Sequence, residues 1–326
     1  MGNINILFAG HDLKFATNII NYFELREGFD VKEDVWKGHT GHDEEESLKY
    51  LHWADVIVCE WGLGNAVWYS QNKLSHQKLI VRMHLQEVDT PYPKRFNLSN
   101  IDKIIAISPY VYEEFYRVFK FPRQKMTMIY NVIDTKKFDR VKDKPKFNLG
   151  FVGMSPKRKR LDLAVDILEK LWNEDSRYTL YIKGKRPEEY PWLWRKEEER
   201  LYYTSLYERI EKAPWKDSVI FDGFGSDIPE WFTKIGFILS TSDFESFHLS
   251  PSEGMASGTY PIILNWDGSN TIYPEKYLMT SVEESVERIK NVSYDQQTMQ
   301  ELKKYVNDNF SIEKIGLEWE KLIVSL

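Results

Sequence analysis

Cysteine is nearly absent from this chain. Cys59 is the only one in 326 residues, which excludes an intramolecular disulfide and a cysteine-rich zinc site and fits a reducing, cytoplasmic setting. Long apolar runs are missing as well. The longest, such as Val56–Cys59 and Ile104–Ile107, fall far short of the ~20 residues a spanning helix needs, so a membrane contact would be peripheral, at the inner face. Residues Met1 to Gly10 (MGNINILFAG) carry no basic stretch ahead of a signal-type core and read as a first strand. Ile6 stands where a myristoylation pattern wants Ser or Thr. Excess positive charge is also lacking: the formal net charge is −6, which makes nucleic acid a poor partner while leaving room for a local basic patch that holds a phosphate. Neither common phosphate motif is present. No GxGxxG follows the first strand, and no Gly-Lys-Ser/Thr occurs at P-loop spacing.

Short apolar runs separated by polar helical stretches are what the chain does have. Ile4–Ala9, Val56–Cys59, Leu79–Val81, Ile104–Ile107 and Met126–Ile129 form one series. A second comprises Leu149–Val152, Tyr178–Ile182, Ser218–Phe221, Phe237–Ser240 and Tyr260–Leu264. Buried parallel strands with crossover helices give this pattern, so an α/β fold with two successive units is expected. The charged stretch Asp139–Phe147 (DRVKDKPKF) reads as the linker, which divides the chain into residues 1–144, 145–308 and an amphipathic terminal helix within 309–326 bearing Ile315, Trp319 and Leu322. Residues 187–210 crowd Trp and Tyr among charges. They form either a sugar-stacking surface or an insertion packed on its own helix.

Chemistry concentrates in Ser240–Gly258 (STSDFESFHLSPSEGMASG), directly after an apolar strand. Loops at the carboxyl ends of parallel strands are where open α/β sheets bind ligands. Ser250-Pro251-Ser252-Glu253 predicts a helix start with Ser250 as N-cap, Pro251 at the first position and Glu253 closing a capping box. Such a helix terminus suits a phosphate. Glu253 is then either a cap or a ligand group. Glu245, between Phe244 and Phe247, has no evident solvated face and favours function. Eight residues separate the two glutamates, about 12 Å if helical, so a hydrolase pair at ~5–9.5 Å is not expected.

Gly150–Leu163 (GFVGMSPKRKRLDL) places Gly153 and four cations, Lys157–Arg160, after another strand. They either neutralise a diphosphate or form a solvated basic turn. His84 ends the apolar LIVRMH run, from which a side chain reaches a ligand or remains structural. His39, His42 and Asp43 have metal-ligand chemistry but sit in an acidic, solvated-looking run. No metal site is expected there, nor at Asp243-Phe244-Glu245.

These stretches resemble the family 4 glycosyltransferases of the GT-B fold over residues 100–326, with the first hundred compatible. Asp102–Phe138 resembles the end of the family's first domain, with Asn131–Asp134 as its Asn-Gly-Val-Asp turn. Gly153–Asp162 resembles the diphosphate loop, with Lys159 on the family's Lys. Glu245 to Glu253 (ESFHLSPSE) matches the family's two glutamates with seven residues between them, followed by GMASGTYPI with one residue more than the family before Pro261. The resemblance implies two Rossmann-like domains facing a central cleft, a terminal helix crossing back to the first, and a retaining, metal-independent transferase that needs no cofactor. It would move a hexose or related sugar from a nucleotide sugar to a glycan, lipid-linked or other hydroxyl acceptor, in glycan or cell-surface polysaccharide synthesis.

In that scheme Glu245, His84 and Lys159 are catalytic. Gly153, Arg158, Arg160, Lys183, Gly184, Ser246, Phe247, His248, Leu249 and Glu253 bind the donor, with Glu253 at the ribose. Gly10, His11 and Asn131 belong to the acceptor side. Three departures stand out. Met154 replaces an Arg, Ser246-Phe247-His248-Leu249 replaces Gly-Phe-Gly-Leu, and Gly10-His11-Asp12 replaces a Gly-rich loop. A nucleotide-sugar epimerase, or a sugar-nucleotide binding subunit without turnover, are the alternatives.

Overall fold

The computed structural model describes residues 2–143 and 145–326. It divides into two compact units, one of residues 1–134 with 309–326 and one of residues 135–308. Each is built on a six-stranded parallel sheet covered by helices.

The first unit contains β1 (Ile4–Gly10), β2 (Phe29–Val35), β3 (Val56–Glu60), β4 (Lys78–Met83), β5 (Lys103–Ala106) and β6 (Met126–Met128), in spatial order β2-β1-β3-β4-β5-β6. The inner strands β3 and β4 are buried nearly throughout, which is why they read as unbroken apolar runs. Strand β2 lies at the edge and alternates partly buried with exposed charged residues; lacking an apolar run, it leaves no such signature in the sequence. Helix Ile312–Ser325 completes this unit. Ile315, Trp319 and Ile323 enter the core with Ile6, Phe8 and Phe23, and Leu322 packs at its margin. Gly316 lets the helix come close, since a Cβ there would lie 2.4 Å from the Tyr22 ring.

The second unit contains β7 (Asn148–Val152), β8 (Thr179–Lys183), β9 (Val219–Gly223), β10 (Phe237–Ser240), β11 (Tyr260–Leu264) and β12 (Leu278–Met279), in order β12-β11-β10-β7-β8-β9. Strand order reverses at β7, which lies between β10 and β8. Open α/β sheets bind ligands outside the carboxyl ends of strands at such a reversal.

The division between units falls at residues 134 and 135, ten residues ahead of the expected boundary at 144 and 145. The reason is Lys142. Its ammonium donates to Phe232 O, Ile235 O, Ser257 Oγ and Thr259 Oγ1 at 2.6–3.0 Å, which fastens the charged stretch to the second unit. Burial pushes its pKa well below the usual lysine value, with Lys303 acting in the same direction. No helix among the described residues is long and apolar enough to cross a membrane.

Candidate functional site

In the second unit the strand reversal carries the cations and the first glutamate to one place. The loop after β7 makes a turn at Lys157–Lys159, and the loop after β10 brings Glu245 beside it. Lys159 Nζ donates to Glu245 Oε1. Ser242 Oγ donates to the same oxygen at 2.7 Å, and Arg158 stands 3.6 Å from it. Burial would raise the Glu245 pKa, but His248, Lys159 and Arg158 outweigh it and hold the carboxyl well below the usual range. Burial lowers the His248 pKa, against the pull of Glu245. Arg158 also lies 4.7 Å over the Phe244 ring and donates to Phe244 O.

Met154 cannot supply the missing second cation, and its side chain is buried. Arg158, 3.6 Å from Glu245 Oε1, is the second cation beside this carboxylate. Arg160 does not share this place, being paired with Asp162 at 2.9 Å and Asp243 at 3.0 Å.

Helix Leu249–Ala256 starts at this point, and its start corrects the sequence expectation. His248, with φ +57°, is the residue before the first turn, and no side chain caps the helix. Ser250 is therefore the second helical residue rather than the cap. Its hydroxyl bonds His248 Nε2 at 2.9 Å, while His248 Nδ1 meets Ser240 Oγ at 2.7 Å. A left-handed backbone favours glycine, which accounts for the family's glycine at this place; here two serine hydroxyls brace the imidazole instead. The capping box is thus absent, and Glu253 is not engaged in it. Burial pushes its pKa up to about 7, with Lys137 pulling the other way.

Ser246 and Phe247 form the approach to this helix, Phe247 buried and Ser246 half-buried. Gly153 (φ +75°) and Gly184 (φ +132°) end β7 and β8 side by side, with Gly153 N donating to Lys183 O at 2.8 Å. Lys183 is buried and paired with Asp227 at 2.8 Å.

The aromatic stretch 187–210 folds as helices Pro191–Trp194 and Glu197–Lys212. Trp192 is exposed, but Tyr203 is fully buried, with its hydroxyl donating to Met154 O at 2.6 Å. Tyr202 OH donates to Asp162 Oδ1 at 2.7 Å, and Glu199 accepts from Lys157 N at 2.8 Å. The inner face of the segment thus bonds the loop after β7 and the start of helix Leu161–Glu174.

In the first unit, the carboxyl ends of β1, β3 and β4 surround a buried polar network. His84 Nε2 lies 3.0 Å from Glu60 Oε1. Arg82 bridges Glu60 at 2.9 and 3.0 Å and reaches Asn131 Oδ1. Burial lowers the His84 pKa against the Glu60 carboxylate. Glu87 accepts from Gly62 N and His84 N, and burial pushes its pKa up to about 8. Gly10 permits β1 to approach β3, where a Cβ would meet Glu60 O at 2.6 Å. His11 packs edge-on to His39 with ring centroids 5.0 Å apart. Glu60, Arg82 and Glu87 escaped the sequence reading, although a charge ending or interrupting an apolar run was the available signal. His42 stacks on Trp36 at 3.8 Å and bonds Ser47. No group of three or more His, Cys, Asp or Glu among the described residues is placed to hold a metal.

Residues 132–308, a little over half the chain, match the family described as "Glycosyl transferases group 1". The chain belongs to this family. A lipopolysaccharide core biosynthesis mannosyltransferase, LpsB of Rhizobium meliloti, is 26% identical over an alignment of 202 residues that covers 56% of this chain and 53% of the relative. The match thus spans about half the length of that curated relative. Among solved structures, Anabaena Alr3699/HepE in complex with UDP aligns at TM-score 0.75 and 15% identity over 99% of this chain and 100% of its own. The pneumococcal O-GlcNAc transferase GtfA in complex with UDP and GlcNAc aligns at 0.65 and 18%, covering 86% and 59% respectively. Sucrose-phosphate synthase from Thermosynechococcus elongatus aligns at 0.72 and 15%, with 99% of each chain covered. The fold of this group 1 chain is GT-B.

Proposed function

We propose that this chain is a retaining, metal-independent glycosyltransferase that moves a sugar from a nucleoside diphosphate to a hydroxyl acceptor. The observation that carries the reading is the Lys159–Glu245 pair at the strand reversal, with Arg158 beside it and the free start of helix Leu249–Ala256 next to it. Two cations against one buried carboxylate leave positive charge in excess. Together with the helix terminus, this suits a departing diphosphate. Glu245, kept ionised, contacts the transferred sugar and favours its oxocarbenium-like transition state. Glu253, free of a capping role, takes the ribose hydroxyls, and Gly153, Lys183, Gly184 and the Ser246–Leu249 backbone complete the donor site. In the first unit His84 is oriented by Glu60, and Gly10, His11 and Asn131 are the residues proposed for the acceptor. A carbohydrate acceptor is supported by the lipopolysaccharide core mannosyltransferase relative, and UDP-sugars are the first donors to try given the UDP-bound neighbours.

The test is mass spectrometry of acceptor mixtures incubated with a panel of sugar nucleotides, followed by assignment of the product anomer. A hexose-sized mass gain with the donor's anomeric configuration kept is expected. Nucleotide binding without transfer or hydrolysis would overturn the catalytic reading, and an inverted anomer would overturn retention.

A further inference from the structure

Lys159 does not hold its own position. Its loop leaves β7, turns through three residues and enters helix Leu161–Glu174 with Arg160 in the left-handed region at φ +53°, a conformation that side-chain-bearing residues adopt only when something else holds them. From the β10 side, Thr241 Oγ1 donates to Lys159 O and Arg160 O at 3.0 and 2.8 Å, and Asp243 N donates to Arg158 O at 2.8 Å. From the opposite side the hold comes from helix Glu197–Lys212. Tyr203 OH donates to Met154 O, Glu199 accepts from Lys157 N, and Tyr202 OH bonds both the amide and the carboxylate of Asp162. Tyr203 and Glu199 are buried, so water is a poor substitute for either bond, and the loop's backbone would lose its partners if they were removed.

We propose that Tyr203 and Glu199 are positioning residues for Lys159: by fixing the backbone of residues 154–157 they hold the ammonium in register for the diphosphate. This gives the aromatic-rich stretch a task that depends on its inner face, not on its exposed Trp192. The proposal rests on the nucleotide-sugar reading for its catalytic consequence, but not for the clamp itself. An ion pair that must be aligned to act on a leaving group loses much of its effect when displaced by about 1 Å. The loss should therefore appear in turnover rather than in folding.

The experiment is a double-mutant cycle on donor hydrolysis or transfer, with amide hydrogen exchange of the ligand-free protein beside it. Tyr203→Phe keeps the ring and removes the bond to Met154 O; Glu199→Ala removes the acceptor for Lys157 N, and Glu199→Gln restores one. Tyr203→Phe and Glu199→Ala should each lower kcat about tenfold with KM for the donor changed less, Glu199→Gln should recover most of the loss, and neither should matter further in a Lys159→Ala background. Exchange at residues 157–160 should quicken in both single variants. Losses that simply add to that of Lys159→Ala, or unchanged exchange at 157–160, would overturn the positioning role while leaving the transferase reading intact. If the unaltered protein turns over no nucleotide sugar, the functional reading fails on its own, and the exchange measurement still decides the clamp.

Discussion

Lys159 and Glu245, 86 residues apart in sequence, form a partly buried ion pair that joins the loop after β7 to the loop after β10. The group proposed to stabilise the leaving diphosphate is thus held, in the ligand-free protein, by the group proposed to face the sugar. Each carboxylate and ammonium is a partner that the other would leave stranded in a buried setting.

Glu245→Gln should reduce turnover strongly while nucleoside diphosphate affinity stays within a few-fold of the original or tightens, because Lys159 is released toward the phosphate. The variant should also melt lower than the unaltered protein without ligand and recover when the nucleotide is added. Calorimetry and thermal melts check both. Abolished nucleotide binding with normal turnover of bound donor would mean that the two glutamates have exchanged roles.

Lys159→Ala should lower kcat/KM by roughly 100-fold or more, as removal of one electrostatic stabiliser does. Arg158→Ala should cost less but be clearly measurable, since Arg158 is the second cation near Glu245. Arg160→Ala should be the mildest of the three in kinetics, its guanidinium being spent on Asp162 and Asp243. Steady-state kinetics of the three variants would falsify this order if Arg160 proved the most damaging.

Glu253 offers a pH test with a defined sign. Its pKa is pushed up to about 7 by burial, above the ordinary glutamate value, so the folded state holds an extra proton between the two. Stability from this group is present at acid pH and is lost as pH rises through 7. Glu253→Gln should therefore gain in melting temperature over the parent as pH goes from 5 to 8. Nucleotide affinity should move oppositely: the parent should bind more tightly above pH 7, where a carboxylate can accept from ribose hydroxyls, and the variant should bind weakly and without that dependence. Unaltered nucleotide binding by the variant at pH 8 would remove Glu253 from the ribose.

Chelation should leave activity nearly unchanged, because the proposed leaving-group stabilisation comes from side-chain cations and a helix terminus. The assay is transfer or donor hydrolysis before and after EDTA. Complete loss, restored by Mg²⁺ or Mn²⁺, would reject the metal-independent mechanism.

Much of this architecture was legible in the chain itself. Buried parallel strands must be apolar on both faces, so β3, β4, β7, β10 and β11 announce themselves, and the loops that follow them mark where ligands go. Strand β2 did not, since an edge strand keeps charged residues facing water, and β12 is only two residues long. The linker was placed late because a charged, Pro-containing stretch is ordinarily solvated, whereas Lys142 here finds four oxygen acceptors inside the second unit.

Residue types and local spacing set the list of chemically able groups: Lys159, Glu245, Glu253, His84 and the basic run. Tertiary structure alone decided their partners. Whether Glu253 caps a helix depended on where that helix begins, and the start is fixed by a left-handed His248 braced between Ser240 and Ser250, a bond pattern that local propensity does not encode. Which arginine stands beside Lys159 and Glu245 likewise depended on Asp162 and Asp243 capturing Arg160 and leaving Arg158 near Glu245. Local sequence determines what a segment can do, but hydrogen bonds and ion pairs between segments far apart in the chain are chosen only when the sheet brings them within a few ångströms of each other.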